Sequence, residues 1–425
     1  MSDSRTFVII GAGQAGRWIA LTLRSEGFAG RIIWLGDETH RAYERPPLSK
    51  AVLKGDVSVT QLALIADDAF EKLQIDWRPS QAVESIDRTK RTVRTAAGES
   101  IAYDALFLAN GGRARQLPGL APHSRVASLR TYQDALALKR DITAAQHVLV
   151  LGGGWIGLEV AASARLLGRA VTLVEAAPRL CLRTVPPCVS AHLLALHAEQ
   201  GVAVRLGDGV QQVDATDSGV TITLASGEHL SGDLLVVGIG LVANDALAAS
   251  AGLAVGNGVL TDAHGRTSDP AIFAAGDVAN AERSDGKRMR IESWENAQRQ
   301  GVAAAKAALG APHDPGSDGA PWFWSDQYDD NLQLLGLPDE SMQVIERHIP
   351  ARAGAKRGTH LFFFCDGARV RAVAAVNAGR EIKIARKWLR EDRFPDLAAL
   401  SDPANDLNKL PLLAAENSIA ATTSI

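Results

Sequence analysis

The segment Phe7-Val8-Ile9-Ile10-Gly11-Ala12-Gly13-Gln14-Ala15-Gly16 decides the reading of this chain. Its pattern returns as Val148-Leu149-Val150-Leu151-Gly152-Gly153-Gly154-Trp155-Ile156-Gly157. Each copy is an apolar, strand-like run, then G-x-G-x-x-G, then a helix-like run. The first Gly allows a tight turn, the second lets backbone approach a pyrophosphate, and the third lets helix and strand pack closely. The helix start then offers unpaired N–H groups and the positive end of its dipole to phosphate. A carboxylate follows each copy at a spacing that suits an adenosine ribose. Glu175 closes the run Ala170-Val171-Thr172-Leu173-Val174, and Asp37 follows Arg31-Ile32-Ile33-Trp34-Leu35-Gly36. One such loop is weak evidence, since glycine-rich turns arise for many reasons. Two structural turns with surface carboxylates would have to meet the same coincidence twice. We therefore read two dinucleotide sites on one chain, and electron transfer between them.

At 425 residues the chain exceeds one ordinary domain, and two or three are expected. Hydrophobic content of 46% and charged content of 22% fit a water-soluble globular protein. A net charge of −3 argues against wholesale nucleic-acid binding. Cys181, Cys188 and Cys365 form no disulfide framework and suit a reducing cytoplasm, the expected location. The first strand begins by Phe7, which leaves no room for a signal peptide. Apolar stretches such as 234–243 fall far short of the roughly 20 residues that span a bilayer, so no membrane association is expected.

The order of elements predicts an α/β protein with two Rossmann-like dinucleotide-binding domains, one inserted in the other, plus a C-terminal α+β domain. Residues 1–112 read as strand, Gly loop, helix and strand, then an irregular excursion through Arg45-Pro46-Pro47-Leu48-Ser49-Lys50. They end on the strand Ala105-Leu106-Phe107-Leu108-Ala109 and Asn110-Gly111-Gly112. Residues 113–242 form a second α/β unit whose last strand stops at Gly238-Ile239-Gly240. Residues 243–320 return to the first domain through Pro270-Ala271-Ile272-Phe273-Ala274-Ala275-Gly276-Asp277. Residues 321–425 form the last domain.

This order resembles the glutathione-reductase-like flavoproteins. Within them it is most similar to NADH-dependent ferredoxin reductases, the reductase components of bacterial aromatic-ring dioxygenases and of some cytochrome P-450 systems. The more specific segments are Arg45–Lys50, Gly238-Ile239-Gly240, Ala275-Gly276-Asp277 and Pro321-Trp322-Phe323-Trp324-Ser325-Asp326-Gln327. The resemblance implies FAD at Gly11, Gly13 and Gly16, with Asp37 on its ribose and Asp277 on its ribityl or pyrophosphate part. Arg45 and Lys50 would lie along the flavin. It implies NADH at Gly152, Gly154, Trp155, Ile156 and Gly157. Ala109-Asn110-Gly111 departs from the family's Ala-Thr-Gly, which leaves the contact at Asn110 open.

NADH gives a hydride, a 2Fe–2S ferredoxin accepts single electrons, and a flavin does both. A cation near flavin N5 or O4 stabilises the negative charge of the reduced ring, a task that suits Lys50. Glu159 is its expected partner and a neighbour of the nicotinamide amide. The competing readings are a solvated surface lysine and a carboxylate that complements a helix dipole. Glu175 favours NADH, because a carboxylate accepts from the ribose 2′-hydroxyl and repels a 2′-phosphate. Ala176 and Ala177 follow it, although Arg179 and Arg183 stand close enough in sequence to reach a phosphate. Gly238 and Gly240 either let backbone pass the nicotinamide half or simply end a buried strand, with Ile239 between them.

Neither C-x4-C nor C-x-x-C occurs, so electrons should leave the flavin directly rather than through a dithiol. His192 and His197 lack the H-E-x-x-H pattern, and no metal site is expected. Trp322 and Trp324 either shield the flavin and line an electron exit, as the resemblance implies, or form interdomain core. Between Arg347 and Arg393 lie twelve Lys and Arg (Arg347, Arg352, Lys356, Arg357, Arg369, Arg371, Arg380, Lys383, Arg386, Lys387, Arg390 and Arg393). Four acids (Asp366, Glu381, Glu391 and Asp392) stand against them. Such a patch would steer an acidic 2Fe–2S ferredoxin, unless it is an ordinary solvated face. The expectation is thus an NADH:ferredoxin oxidoreductase that feeds an oxygenase, with the oligomeric state open and a monomer favoured. Its rivals are a rubredoxin reductase or NADH oxidase of the same fold, a flavin monooxygenase, and a flavin-bearing signalling protein of the apoptosis-inducing type.

Overall fold

The computed structural model describes residues 3–283, 286–314, 319–351 and 357–414. The chain divides into two units. The first comprises 1–47, 56–113 and 241–318, and the second 48–55, 114–240 and 319–425.

The first unit is built on a five-stranded sheet in the order Ile272–Ala274, Ala105–Leu108, Thr6–Ile10, Arg31–Leu35, Ile75–Arg78. Every adjacent pair is parallel. Parallel strands covered on both faces read as near-continuous apolar runs, which is why Phe7 to Ile10 and Ile32 to Leu35 are all buried. Alternation still divides them. Phe7, Ile9 and Trp34 face a core with Ile19 and Leu23 of the helix Gln14–Ser25. Val8, Ile10, Ile33 and Leu35 face a second core with Ile86, Val93 and Leu253. The helix Trp294–Leu309 approaches Gln14–Ser25 through Gly301, where an added Cβ would lie 2.8 Å from Ala15 O. The strand Ile272–Ala274 runs into the turn Gly276–Val278, which carries Asp277.

The second unit repeats this design and extends it. Its parallel sheet runs Val202–Leu206, Ala170–Glu175, His147–Leu151, Leu234–Val237, Val126–Ala127. A five-stranded antiparallel sheet follows, in the order Trp322–Gln327, Asp330–Leu335, Arg369–Val376, Thr359–Asp366, Gln343–Ile349. Its period-two alternation separates two cores. Leu332, Leu334, Phe362, Phe364 and Ala374 share one core with Val150, Leu158 and Leu173. Leu335, Phe363, Val373 and Ala375 face the helix Gly379–Glu391 through Ile382, Ala385 and Trp388. The segment 48–55 joins this unit, with Leu53 in the same core as Leu138 and Leu158. Among the described residues no helix is long and apolar enough to cross a membrane.

Candidate active site

In the first loop the backbone nitrogen of Gly11 donates to Leu35 O at 2.9 Å, which turns the chain off its strand. Gly11 adopts φ +110°, and a Cβ there would meet Ala109 O at 2.3 Å. A Cβ on Gly16 would meet Gly11 O at 2.3 Å. A Cβ on Gly13 would meet nothing within 4 Å. Two glycines are therefore required by neighbouring backbone, and the middle one borders open space large enough for a ligand's approach. The helix Gln14–Ser25 begins at Gly13 with no side-chain cap, so its first N–H groups are left for another acceptor. Both amide atoms of Gln14 and Oδ1 of Asn110 are buried without a hydrogen-bond partner among the described residues. Buried polar atoms are normally satisfied, so a polar ligand fits this cradle.

The remaining residues expected at this cradle have definite settings. Asn110 Nδ2 donates to Asn244 O, and Asn244 Nδ2 returns the bond to Asn110 O, each at 2.8 Å. This pair occupies the amide nitrogen and leaves Oδ1 available. Ala109 is buried, and Gly111 accepts from Asn244 N through its carbonyl. Arg45 donates to Glu38 at 2.7 Å, and its guanidinium lies 5.2 Å from the Tyr43 ring centroid. Burial opposes the charge on Arg45, but Tyr43, Glu38 and Asp277 outweigh it and raise its pKa. Asp277 is half-buried, whereas Asp37 is exposed.

The second loop copies the first. Gly152 N donates to Val174 O at 2.8 Å, and Gly152 has φ +107°. A Cβ on Gly157 would meet Gly152 O at 1.9 Å, while one on Gly154 would meet nothing within 4 Å. The helix Trp155–Leu166 also starts without a side-chain cap. Glu175 accepts from Gly153 N at 2.6 Å and Ala177 N at 2.7 Å, so its carboxylate is fixed before any ligand arrives. Arg179 is committed elsewhere, to Val185 O at 2.5 Å, to Ser190 Oγ at 2.9 Å and to Glu340. Arg183 is exposed, and its Nη2 lies 3.3 Å from the place a Cβ on Gly240 would take. Gly238 comes close to Gly157, with its notional Cβ 3.3 Å from Gly157 Cα. Ile239 is half-buried and Ile156 is 45% exposed.

Lys50 and Glu159 form an ion pair of 2.7 Å, with Glu159 3% exposed. Ser49 Oγ donates to the same Glu159 oxygen, Oε2, and Ser325 Oγ donates to Oε1 at 2.6 Å. Neither serine was expected. Ser325 lies on the strand Trp322–Gln327, whose alternation is the signal that could have found it. Phe323 reaches Trp155, with ring centroids 4.7 Å apart, and Ser325 reaches Glu159 from the same face. On the opposite face Trp322 and Trp324 stack at 4.9 Å and 17°, beneath Arg386, 5.6 Å from the Trp322 centroid. Trp322 Nε1 also donates to Gln333 at 3.0 Å.

The basic C-terminal residues divide by setting. Arg347 is 3% exposed and donates to the carbonyls of Leu400, Asp402, Pro403 and Asn405, so it braces a loop. Arg357 pairs with Glu199 and Asp330. Arg352 and Lys356 lie outside the described residues. Arg380, Lys383, Lys387 and Arg390 are exposed at helical spacing on one stripe of Gly379–Glu391, opposite Ile382, Ala385 and Trp388. Arg380 and Arg390 have acidic neighbours at 3.4 and 3.6 Å, and none stands within ion-pair distance of Lys383 or Lys387 among the described residues.

Cys181 is buried, and burial pushes its pKa far up. Burial also pushes Cys365 up to about 11 and raises Cys188. Among the described residues no group of three or more His, Cys, Asp or Glu is arranged to hold a metal ion.

Residues 5–301 match the pyridine nucleotide-disulphide oxidoreductase family, and residues 322–411 match the reductase C-terminal family. The chain is 40% identical over 401 residues to the anthranilate 1,2-dioxygenase system ferredoxin–NAD(+) reductase component of Burkholderia cepacia, covering 93% of this chain and 97% of that one. It is 39% identical over 389 residues to the 3-phenylpropionate/cinnamic acid dioxygenase ferredoxin–NAD(+) reductase component of Photorhabdus laumondii, covering 91% and 96%. Among solved structures, putidaredoxin reductase in its covalent complex with putidaredoxin superposes with a TM-score of 0.87 at 35% identity, covering 95% of this chain and 98% of that one. Two dinucleotide loops without a redox dithiol, followed by this C-terminal sheet, make the chain a member of the pyridine nucleotide-disulphide oxidoreductases, and within them of the ferredoxin–NAD(+) reductase components.

Proposed function

We propose that this protein transfers electrons from NADH through bound FAD to a small acidic 2Fe–2S ferredoxin that serves an oxygenase. The observation that carries the reading is the paired loops, each with a glycine opening onto free space at an uncapped helix start. Bound FAD supplies the conversion of a two-electron hydride into single electrons. The chain's own work is positioning and electrostatics. Gly11, Gly13, Gly16, Asn110 and Asp277 would hold FAD, with Arg45 alongside. Gly152, Gly154, Gly157 and Glu175 would hold NADH. Arg179 is tied to Glu340 and Ser190, which leaves exposed Arg183 as the nearby arginine in sequence that could approach a 2′-phosphate. Lys50, directed by Glu159, would stabilise negative charge at the reacting end of the flavin.

The ferredoxin's surface is assigned to the exposed stripe Arg380, Lys383, Lys387 and Arg390, beside Arg386 and the Trp322–Trp324 stack. Complementary charge of this kind mainly raises the rate of encounter. The relatives support a ferredoxin partner by name.

The test is NADH-driven cytochrome c reduction with and without a 2Fe–2S ferredoxin. Strong dependence on the ferredoxin is expected. Equal rates without it would favour the oxidase reading. Lys383→Glu with Lys387→Glu should lower ferredoxin-dependent turnover about tenfold at low salt, while flavin reduction by NADH stays unchanged.

A further inference from the structure

Beyond Ser325 the hydrogen bonds continue in a line. Gln327 Nε2 meets Ser325 Oγ at 3.0 Å, His197 Nε2 meets Gln327 Oε1 at 2.8 Å, and Tyr328 Oη meets His197 Nδ1 at 3.0 Å. Ser325, Gln327 and His197 are buried, at 0%, 2% and 0% exposure. The direction of every bond can be deduced from one end. Glu159 accepts from Lys50 at Oε2 and from Ser325 at Oε1, so Ser325 spends its only hydroxyl proton on Oε1. Ser325 Oγ must then accept from its other neighbour, which turns the amide nitrogen of Gln327 toward it. The amide oxygen of Gln327 therefore faces His197, and His197 Nε2 must donate. Burial lowers the His197 pKa and keeps the ring neutral, so Nδ1 is bare and accepts from the Tyr328 hydroxyl.

We propose that His197 is a positioning residue for Glu159, locked as the Nε2–H tautomer and acting through Gln327 and Ser325. The opposite tautomer would present a lone pair at Nε2 and turn the Gln327 amide over. Its oxygen would then face Ser325 and draw the hydroxyl proton away from Glu159. One oxygen of the carboxylate that holds Lys50 would lose its donor. A half-satisfied buried network of this kind loses its orientation as a unit. His197, carried by the helix Pro187–Glu199, thus sets the aim of an ion pair it never touches.

The inference rests on the placement of Lys50 and Glu159 at the reacting end of the flavin. The first measurement is the nitrogen-15 NMR spectrum of the His197 imidazole in the FAD-loaded protein at neutral pH. A protonated Nε2 and an unprotonated Nδ1 are expected. A protonated Nδ1, alone or with Nε2, overturns the proposal. The second is single-turnover flavin reduction by NADH. His197→Phe removes the donor and should slow the limiting rate constant about tenfold, as loss of an outer support for a functional group does, with NADH affinity unchanged. His197→Gln restores a donor at the same reach and should recover the rate to within about twofold. Gln327→Glu keeps the shape, accepts at both oxygens, and should slow the step as His197→Phe does. An unchanged rate in Gln327→Glu, or no recovery in a folded His197→Gln, overturns the proposal even if His197→Phe fails to fold. Failure of the underlying placement would look different. Glu159→Gln would then reduce its flavin at the wild-type rate while wild-type His197 still showed the Nε2–H form.

Discussion

In the loop 11–16 and the loop 152–157 the same contacts recur at the strand end. Gly11 donates to Leu35 O as Gly152 donates to Val174 O, and each third glycine lies against the carbonyl of the first. Those two bonds align Leu35 with Val174, and so the next residues, Gly36 with Glu175. Here the copies part. Glu175 is held by Gly153 N and Ala177 N at the end of its strand. At Gly36 a Cβ would strike the Trp77 ring at 2.5 Å, and the acid stands one residue later, exposed. The glycine turn, made of backbone, recurs in both loops. The carboxylate beyond it does not, and Asp37 is not the structural counterpart of Glu175.

Five substitutions and one chemical treatment break or sharpen this comparison. The largest effects belong to the shared part. Gly157→Ala drives a Cβ into Gly152 O and should weaken NADH binding by at least ~100-fold, about 2.7 kcal/mol, while FAD stays bound. Gly16→Ala should do the reverse, with loss of the flavin absorbance from the purified protein. Exchange of the two outcomes would reverse the assignment of the loops. Next comes Glu159→Gln, which leaves the loops intact and removes the counter-charge of Lys50. Flavin reduction should slow about 100-fold in stopped-flow measurements, the usual scale for loss of an oriented charge at a reacting centre.

The divergent end should give smaller and unequal effects. Glu175→Ala removes a fixed charged acceptor, worth about 1.5–3 kcal/mol, so NADH affinity should fall at least tenfold by titration. Asp37→Ala should change FAD retention less than about twofold, because an exposed carboxylate contributes little. Equal losses at the two sites would mean that the flavin draws Asp37 into a role like that of Glu175. The smallest effect is at the thiols. With Cys365 pushed up to about 11 and Cys181 raised further, little thiolate exists near neutral pH. Alkylating reagents at pH 7.5 should leave NADH-driven flavin reduction unchanged, with labelling confined to half-buried Cys188. Rapid inactivation at pH 7.5 would reopen a thiol route.

The sequence by itself determined the two dinucleotide loops, the α/β class and the lack of a dithiol. These are local properties. A tight turn, a close helix start and an apolar strand each constrain residue type over a few neighbouring positions, so the constraint is written where it acts. The pairing of Lys50 with Glu159 was expected from the place of Glu159 in the first turn after the second loop, and the two stand 2.7 Å apart. What surrounds that pair was not legible. Ser49 and Ser325 bond to Glu159, Gln327 and His197 stand in line behind Ser325, and these come from three separate stretches of chain whose local patterns do not require it. Net charge over 347–393 could not separate a buried brace such as Arg347 from the exposed stripe on 379–391, because charge counting ignores burial. Nor could spacing reveal that Arg179 is committed to Glu340 or that Trp77 excludes a side chain at Gly36. Those outcomes depend on which distant segments share a core, and only the tertiary structure decided them.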